Sequence, residues 1–207
     1  MLLRVKKYSE KLLLPLGKKI KKVPANFITA LGLFFAILAF LFLIFHIYPL
    51  IIMSLVLVEF FDQLDGVVAR LQGPTKLGSF LDSTLDRIGD YLIFFGIILG
   101  GYTEIYIPIL YLGLITLAGA FLTSYTRAKI ESLGIPNMYG VGLLERTDRV
   151  PIILIGSILL IWFPTAIWWT MIFLAIGTNI TVIQRIVFAL KNLSAKKEDS
   201  SPSEEAI

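Results

Sequence analysis

Long apolar stretches separated by short polar breaks dominate the pattern along this chain. The first stretch runs from about Phe27 to Ile47 and is long enough, at 1.5 Å per residue, to cross a hydrocarbon core of ~30 Å. Five further stretches follow it. The pattern therefore predicts an all-α polytopic membrane protein with six transmembrane helices, whose approximate ranges are 27–47, 49–70, 79–101, 107–129, 150–163 and 166–190.

Both ends of the chain differ from these spans. Residues 1–23 interleave eight Lys and Arg with leucines, which is typical of an amphipathic helix lying at the membrane surface. Residues 191–207 are charged and serine-rich and lack core-forming side chains, so we expect a disordered tail. Between them, residues 24–190 are predicted to form one six-helix domain.

Composition supports the membrane assignment and gives its orientation. Apolar residues make up 57% of the chain, which excludes an ordinary soluble domain, and there is no cysteine and a single histidine. All 19 Lys and Arg fall on one face of the predicted topology, which the positive-inside rule identifies as cytoplasmic. We therefore expect both termini in the cytoplasm of a cell-membrane protein, and the basic charge predicts no nucleic-acid partner.

Four aspartates stand out in the stretch 62–86. Asp62 and Asp65 are three residues apart, and Asp82 and Asp86 are four apart, so each pair lies on one face of its helix. Placing an ionisable side chain in a membrane segment costs free energy, so a functional role is the default interpretation of these aspartates. Such carboxylates suit Mg²⁺ or Mn²⁺, and two pairs facing each other could hold two ions that clamp phosphate oxygens. These ions would lie near the cytoplasmic membrane face.

Plainer interpretations of the same stretch exist. The aspartates could be neutralised by helix-internal salt bridges to Arg70 and Arg87, and Gly66 with Ala69 could be a close helix-packing contact rather than a platform for a flat ring. Asp90 continues the stripe of Asp82 and Asp86 but has no counterpart across the hairpin. We assign it to a structural salt bridge with a basic residue on a neighbouring helix.

The spacing of these residues resembles a known signature. The pattern Asp62-x-x-Asp65-Gly66-x-x-Ala69-Arg70, then seven residues, then Gly78-x-x-x-Asp82-x-x-x-Asp86 resembles that of the CDP-alcohol phosphatidyltransferases, integral membrane enzymes that make phospholipids. The resemblance implies that the four aspartates bind the metal ions, that Asp86 is also the general base, and that the enzyme is a homodimer. It further implies a set of CDP-lipid contacts, namely Asn26, Gly66, Ala69, Arg70, Thr75 and Gly78.

A second resemblance concerns the acceptor. The segments 124–131 and 145–149, together with Gln184-Arg185, resemble the acceptor region of the family members that make phosphatidylinositol phosphate or archaetidylinositol phosphate. The basic residues there are implied to hold the phosphate of inositol 1-phosphate, although basic residues at cytoplasmic helix ends can also be simple topology signals. The predicted acceptor-phosphate residues are Arg127, Lys129, Arg146, Arg149 and Arg185.

The expected function follows from both resemblances. A phosphatidyl or archaetidyl group would pass from a CDP-linked lipid to the hydroxyl of a phosphorylated polyol, most simply inositol 1-phosphate, with release of CMP. Glycerol 3-phosphate, serine or another inositol derivative remain alternative acceptors. A divalent-cation transporter is the alternative of a different class, because it would also place acidic residues in membrane helices.

Overall fold

The computed structural model describes residues 12–135 and 140–198. All regular structure in these ranges is helical, which confirms the predicted all-α class. Residues 12–19 are helical, whereas residues 1–11 of the predicted amphipathic helix lie outside the described residues. The six long helices are α1 (Ala25–Ile44), α2 (Tyr48–Gln72), α3 (Lys76–Gly100), α4 (Ile109–Ser132), α5 (Arg146–Leu159) and α6 (Ala166–Glu198).

The turn between α2 and α3 sets the position of the aspartates. Gly73 ends α2 with a φ of 95°, a left-handed value that glycine adopts without steric cost. Thr75 then caps α3, because its hydroxyl accepts a hydrogen bond of 3.0 Å from the backbone N–H of Gly78. The helix therefore begins at Lys76, three residues before the predicted start at residue 79.

Helices α5 and α6 also differ from their predicted limits. Helix α5 begins at Arg146 rather than at Val150, since the Asp148 carboxylate accepts a hydrogen bond of 2.9 Å from the backbone N–H of Glu145 and so stabilises an earlier start. Helix α6 continues past Leu190 to Glu198, so its final turns occupy part of the predicted tail. Residues 199–207 of that tail lie outside the described residues.

Three helices in the described part of the chain are long and apolar enough to cross a membrane: Ala25–Ile44, Ile109–Ser132 and Ala166–Ser194. Helices α2 and α3 are 25 residues long but carry the aspartates. Helix α5 has 14 residues and spans only about 21 Å. The structure thus agrees with an integral membrane protein, and the count of six spans stays a prediction.

Helix packing brings the charged ends of three helices together. Helix α1 packs against both α2 and α3, α4 packs against α6, and α5 lies against α2 and α6. A continuous apolar core runs through the bundle and includes Leu55 of α2, Phe94 of α3 and Ile153 of α5. As a result, the last turns of α2, the first turns of α3 and the start of α5 share one end of the bundle.

The opposite end of the bundle is tied by hydrogen bonds. Nε2 of His46 lies 2.7 Å from the carbonyl oxygen of Gly100, and the hydroxyl of Tyr102 donates to the carbonyl of Leu43 at 2.9 Å. Burial raises the pKa of Tyr102, which keeps its hydroxyl protonated as a donor. These bonds join the end of α1 to the end of α3, away from the aspartates.

Candidate active site

The structure brings the four predicted aspartates together. Asp62 on α2 and Asp82 and Asp86 on α3 each offer a carboxylate oxygen, and these oxygens lie within 4.8 Å of one another. Asp65 is 4% exposed and lies close enough to Asp62 and Asp82 for their negative charges to repel. The hairpin thus brings four carboxyl groups to one end of the bundle.

This donor set fits a divalent cation. Hard carboxylate oxygens are the ligands that Mg²⁺ and Mn²⁺ prefer. Oδ2 of Asp65 is buried and has no hydrogen-bond partner among the described residues, which is costly for a charged group unless a cation binds there. A cavity with about 40 Å³ of room for water adjoins the cluster and is lined by Asp62, Asp65 and Asp86. The site could hold Mg²⁺ or Mn²⁺.

Arg146 at the start of α5 contacts two of the clustered aspartates. Its Nη2 lies 2.9 Å from Oδ1 of Asp62, and its Nη1 forms an ion pair with Oδ2 of Asp86. The alternative partner Arg87 instead donates to the carbonyl of Ser83 in its own helix. The salt bridge seen here is thus not the helix-internal one suggested by the sequence: its basic partner comes from α5 and had been predicted to hold the acceptor phosphate.

The predicted nucleotide contacts form a second group beside the cluster. A Cβ placed on Gly78 would lie 3.0 Å from Oγ1 of Thr75 and 3.3 Å from Oδ1 of Asn26, so these three residues adjoin one another. On α2, a Cβ on Gly66 would meet only the guanidinium of Arg70, at 3.5 Å. Ala69 lies half-buried on the same stretch of helix. The backbone at Gly66 is therefore open to a ligand.

Arg149 makes a buried ion pair. Its side chain is 1% exposed, and it donates to Oδ2 of Asp90 at 2.8 Å and to the carbonyl of Ala120 at 3.1 Å. This pair is the structural salt bridge that the sequence analysis expected for Asp90. It also means that a residue predicted to bind the acceptor phosphate already has protein partners.

The remaining predicted acceptor residues are Arg127, Lys129 and Arg185. Arg185 is 2% exposed and donates to the carbonyls of Val141 and Thr123. Its charged neighbours are Glu145 and Glu131 as well as the arginines Arg127 and Arg149. Arg127 pairs with Glu131 at 3.0 Å. Lys129 is exposed at the end of the same helix. Arginine side chains can bind a phosphate group through paired hydrogen bonds.

Sequence reasoning missed one polar partner of the cluster. The hydroxyl of Thr29 on α1 donates to the carbonyl of Ala25 at 3.1 Å, and Thr29 lines the same cavity as Asp65. Thr29 is buried within a mostly apolar helix. Its position one turn after Asn26 was a usable signal, because residues three or four apart share a helix face.

Comparison with known proteins gives a consistent result. A family model described as CDP-alcohol phosphatidyltransferase matches residues 22–176. An archaetidylinositol phosphate synthase from Methanothermobacter thermautotrophicus is 45% identical over 139 residues, which cover 65% of this chain and 66% of that protein. The match thus spans slightly less than two thirds of this relative.

Two solved structures resemble the fold over almost its whole length. One is the crystal structure of Mycobacterium tuberculosis phosphatidylinositol phosphate synthase with CDP-DAG bound, with a TM-score of 0.73 and 26% identity, covering 95% of this chain and 98% of that one. The other is the same enzyme in complex with manganese and citrate, with a TM-score of 0.70 and 27% identity, covering 94% and 92%.

Proposed function

This chain belongs to the CDP-alcohol phosphatidyltransferase family, and from that membership we propose that it transfers a phosphatidyl or archaetidyl group from a CDP-linked lipid to inositol 1-phosphate, releasing CMP. The resemblance to archaetidylinositol phosphate and phosphatidylinositol phosphate synthases supports this acceptor. The observation that carries the proposal is the convergence of the carboxylates of Asp62, Asp82 and Asp86 from α2 and α3, beside the cavity that Asp65 also lines and in contact with Arg146.

The aspartates are the proposed metal ligands. Asp62, Asp65, Asp82 and Asp86 would hold two Mg²⁺ or Mn²⁺ ions, which supply positive charge to the diphosphate when bound. The fit of the donor set and the unpaired Oδ2 of Asp65 support this assignment. The manganese in the mycobacterial enzyme's structure is consistent with it.

The nucleotide end of the lipid is proposed to lie on α2 and the following turn. The open backbone at Gly66, continued by Ala69, accepts the cytosine ring, and the exposed guanidinium of Arg70 binds a phosphate oxygen. The adjoining group of Asn26, Thr75 and Gly78 offers polar groups at the edge of this platform. The lipid chains extend sideways into the bilayer.

The acceptor is proposed to bind where the basic residues gather. Its phosphate is held by positive charge from the five predicted residues, which are Arg127, Lys129, Arg146, Arg149 and Arg185. Arg146 lies at the start of α5, where it pairs with Asp62 and Asp86 and is close enough to Arg149 for their charges to interact. This position would bring the acceptor hydroxyl close to the reacting phosphorus.

The transfer step needs one base and one leaving group. The acceptor hydroxyl oxygen forms a bond to the phosphorus attached to the lipid, and the bond from that phosphorus to the CMP oxygen breaks. Asp86 takes the hydroxyl proton, and the electron pair of the broken bond leaves with CMP. The carboxylate of Asp86 has a second oxygen besides the one paired with Arg146. That oxygen is the proposed proton acceptor.

The proposal includes a membrane arrangement. Six spans with both termini and the site on the cytoplasmic side agree with the single end of the bundle at which the charged residues meet. Helix α5 is the shortest of the six. We further propose that two copies form a homodimer within the membrane.

An acceptor screen tests this function. Purified protein is incubated with Mn²⁺ or Mg²⁺ and a labelled CDP-lipid, and CMP release is measured with inositol 1-phosphate, glycerol 3-phosphate, serine or inositol. We expect release that requires both the metal and inositol 1-phosphate. Preference for serine or glycerol 3-phosphate would refute the proposed acceptor. Absence of CMP release with every acceptor would refute the transferase and favour the transporter.

A further inference from the structure

The last residue of α2, Gln72, binds the backbone of the segment that precedes α1. Its Nε2 donates to the carbonyl of Lys21 at 2.8 Å and to that of Val23 at 2.6 Å. Its Oε1 accepts a hydrogen bond from the backbone N–H of Ala25 at 3.2 Å. One side-chain amide thus satisfies three backbone groups that are 47 to 51 positions away along the chain.

The hydrogen bond between Gln72 and the backbone N–H of Ala25 caps the start of α1. The first N–H groups of a helix have no partner within the helix and need a capping group. The N-cap residue of α1 is Pro24, which makes no side-chain capping bond. Gln72 therefore caps α1 from another helix and fixes where α1 begins.

The start of α1 carries a proposed nucleotide contact. Asn26 directly follows Ala25, and its Oδ1 lies 3.3 Å from the position of a Cβ on Gly78. The other half of the proposed nucleotide site, Ala69 and Arg70, lies in the last turns of α2 with Gln72 itself. Gln72 therefore holds the two halves of that site in one arrangement.

We propose that Gln72 is a positioning residue for the CDP end of the lipid substrate, a role that rests on the function proposed above. It does not touch the reacting atoms. Its three hydrogen bonds keep Asn26 at a set distance from the α2 platform. Both halves of the nucleotide site are therefore in place before the cytidine binds. A preorganised site binds more tightly because the ligand does not have to order it.

Two variants test this role. Gln72→Leu removes all three bonds, and Gln72→Glu keeps the length and the acceptor oxygen but has no proton for the carbonyls of Lys21 and Val23. We expect both to raise the KM for the CDP-lipid about five- to tenfold, the effect of roughly one neutral hydrogen bond. The dissociation constant for CMP, measured by calorimetry, should rise by a similar factor. The KM for inositol 1-phosphate should stay within about twofold of wild type.

A matched control separates positioning from general stability. Asn179 also joins two helices through its amide, which donates to the carbonyls of Ile115 at 3.2 Å and Ala175 at 2.8 Å. Asn179→Ala should lower the melting temperature without changing the KM for the CDP-lipid. If Gln72→Leu does not fold, Gln72→Glu decides the question.

The outcomes separate this inference from the proposed function. A wild-type protein that turns over CDP-lipid, with Gln72 variants of unchanged KM and unchanged CMP affinity, overturns the role of Gln72 alone. An equal rise in the KM of both substrates also overturns it, because the effect would then be a general loss of structure. A wild-type protein that neither binds CMP nor releases it overturns the proposed function itself.

Discussion

Arg146 forms an ion pair with Asp62, in which its Nη2 lies 2.9 Å from the carboxylate oxygen Oδ1, although the two residues are 84 positions apart in the chain. The same guanidinium pairs with Asp86. It therefore joins α5 to both aspartate-bearing helices and supplies positive charge where four carboxylates meet. The pair is only partly exposed, at 29% for Arg146 and 23% for Asp62, so solvent screens it incompletely.

We predict that Arg146→Gln binds Mn²⁺ more tightly than the wild type. The arginine and a divalent cation are both attracted to the carboxylates of Asp62 and Asp86, so removing the arginine removes a competing positive charge. The dissociation constant, measured by titration with electron paramagnetic resonance detection of free Mn²⁺, should fall about three- to tenfold, or about 1 kcal/mol.

The matched control for Arg146 is Arg127→Gln, which removes an arginine whose described ion pair is with Glu131 rather than with the aspartates. Its Mn²⁺ affinity should equal that of the wild type. Weaker Mn²⁺ binding by Arg146→Gln would show the opposite role, namely that the guanidinium arranges the carboxylates for the metal.

We predict that Asp86→Asn lowers kcat about 10³-fold while the protein stays folded. Asparagine keeps the shape of the side chain but cannot accept the acceptor's proton, and general-base catalysis contributes typically 10²–10⁴-fold. Turnover is measured as CMP release, and folding is checked by thermal unfolding in detergent. An Asp86→Asn enzyme with near wild-type kcat would show that Asp86 is not the general base.

The aspartate cluster could be predicted from the sequence because its geometry is local. Spacings of three and four residues fix which side chains share a helix face, and the Gly73-Pro74 break indicates a hairpin that brings the two faces together. The helical class followed from the apolar pattern for a similar reason. These features depend on residues that are close together in the sequence.

The partners of the arginines could not be predicted in the same way. Nothing in the spacing shows that Arg146 reaches the aspartates, or that Arg185 donates to the carbonyls of Thr123 and Val141, because these contacts depend on how distant helices pack. The start of α5 was misplaced because the Glu145–Asp148 cap was not recognised in the sequence. Gln72 was not singled out for the same reason, since its three partners, Lys21, Val23 and Ala25, lie 47 to 51 positions away along the chain.

We predict that Gly66→Leu raises the KM for the CDP-lipid at least tenfold without lowering stability. A new Cβ at this site meets only the end of the Arg70 side chain, at 3.5 Å, and leucine has a higher helix propensity than glycine by up to about 1 kcal/mol. The melting temperature should therefore stay constant or rise while the side chain covers the proposed ring platform. Kinetics with CDP-lipid as the varied substrate measure the effect.

Gly66→Ala is the graded control, and it should have an intermediate KM because its methyl group covers less of the platform. A Gly66→Leu enzyme with wild-type KM would place the cytosine ring elsewhere.

The buried pair of Arg149 and Asp90 allows the structural and functional roles of Arg149 to be separated. Asp90→Ala leaves a guanidinium that is 1% exposed without its charged partner, which should cost about 3–5 kcal/mol and lower the melting temperature by roughly 10 °C. Replacing both residues, as Asp90→Leu with Arg149→Met, should recover most of this loss of stability because apolar side chains of similar size then fill the site.

The same double variant tests whether Arg149 also holds the acceptor phosphate. If it does, the stable double variant will still show a KM for inositol 1-phosphate raised at least tenfold, with an unchanged KM for the CDP-lipid. A double variant with wild-type KM for both substrates would restrict Arg149 to its structural pair and leave the acceptor phosphate to the other four basic residues.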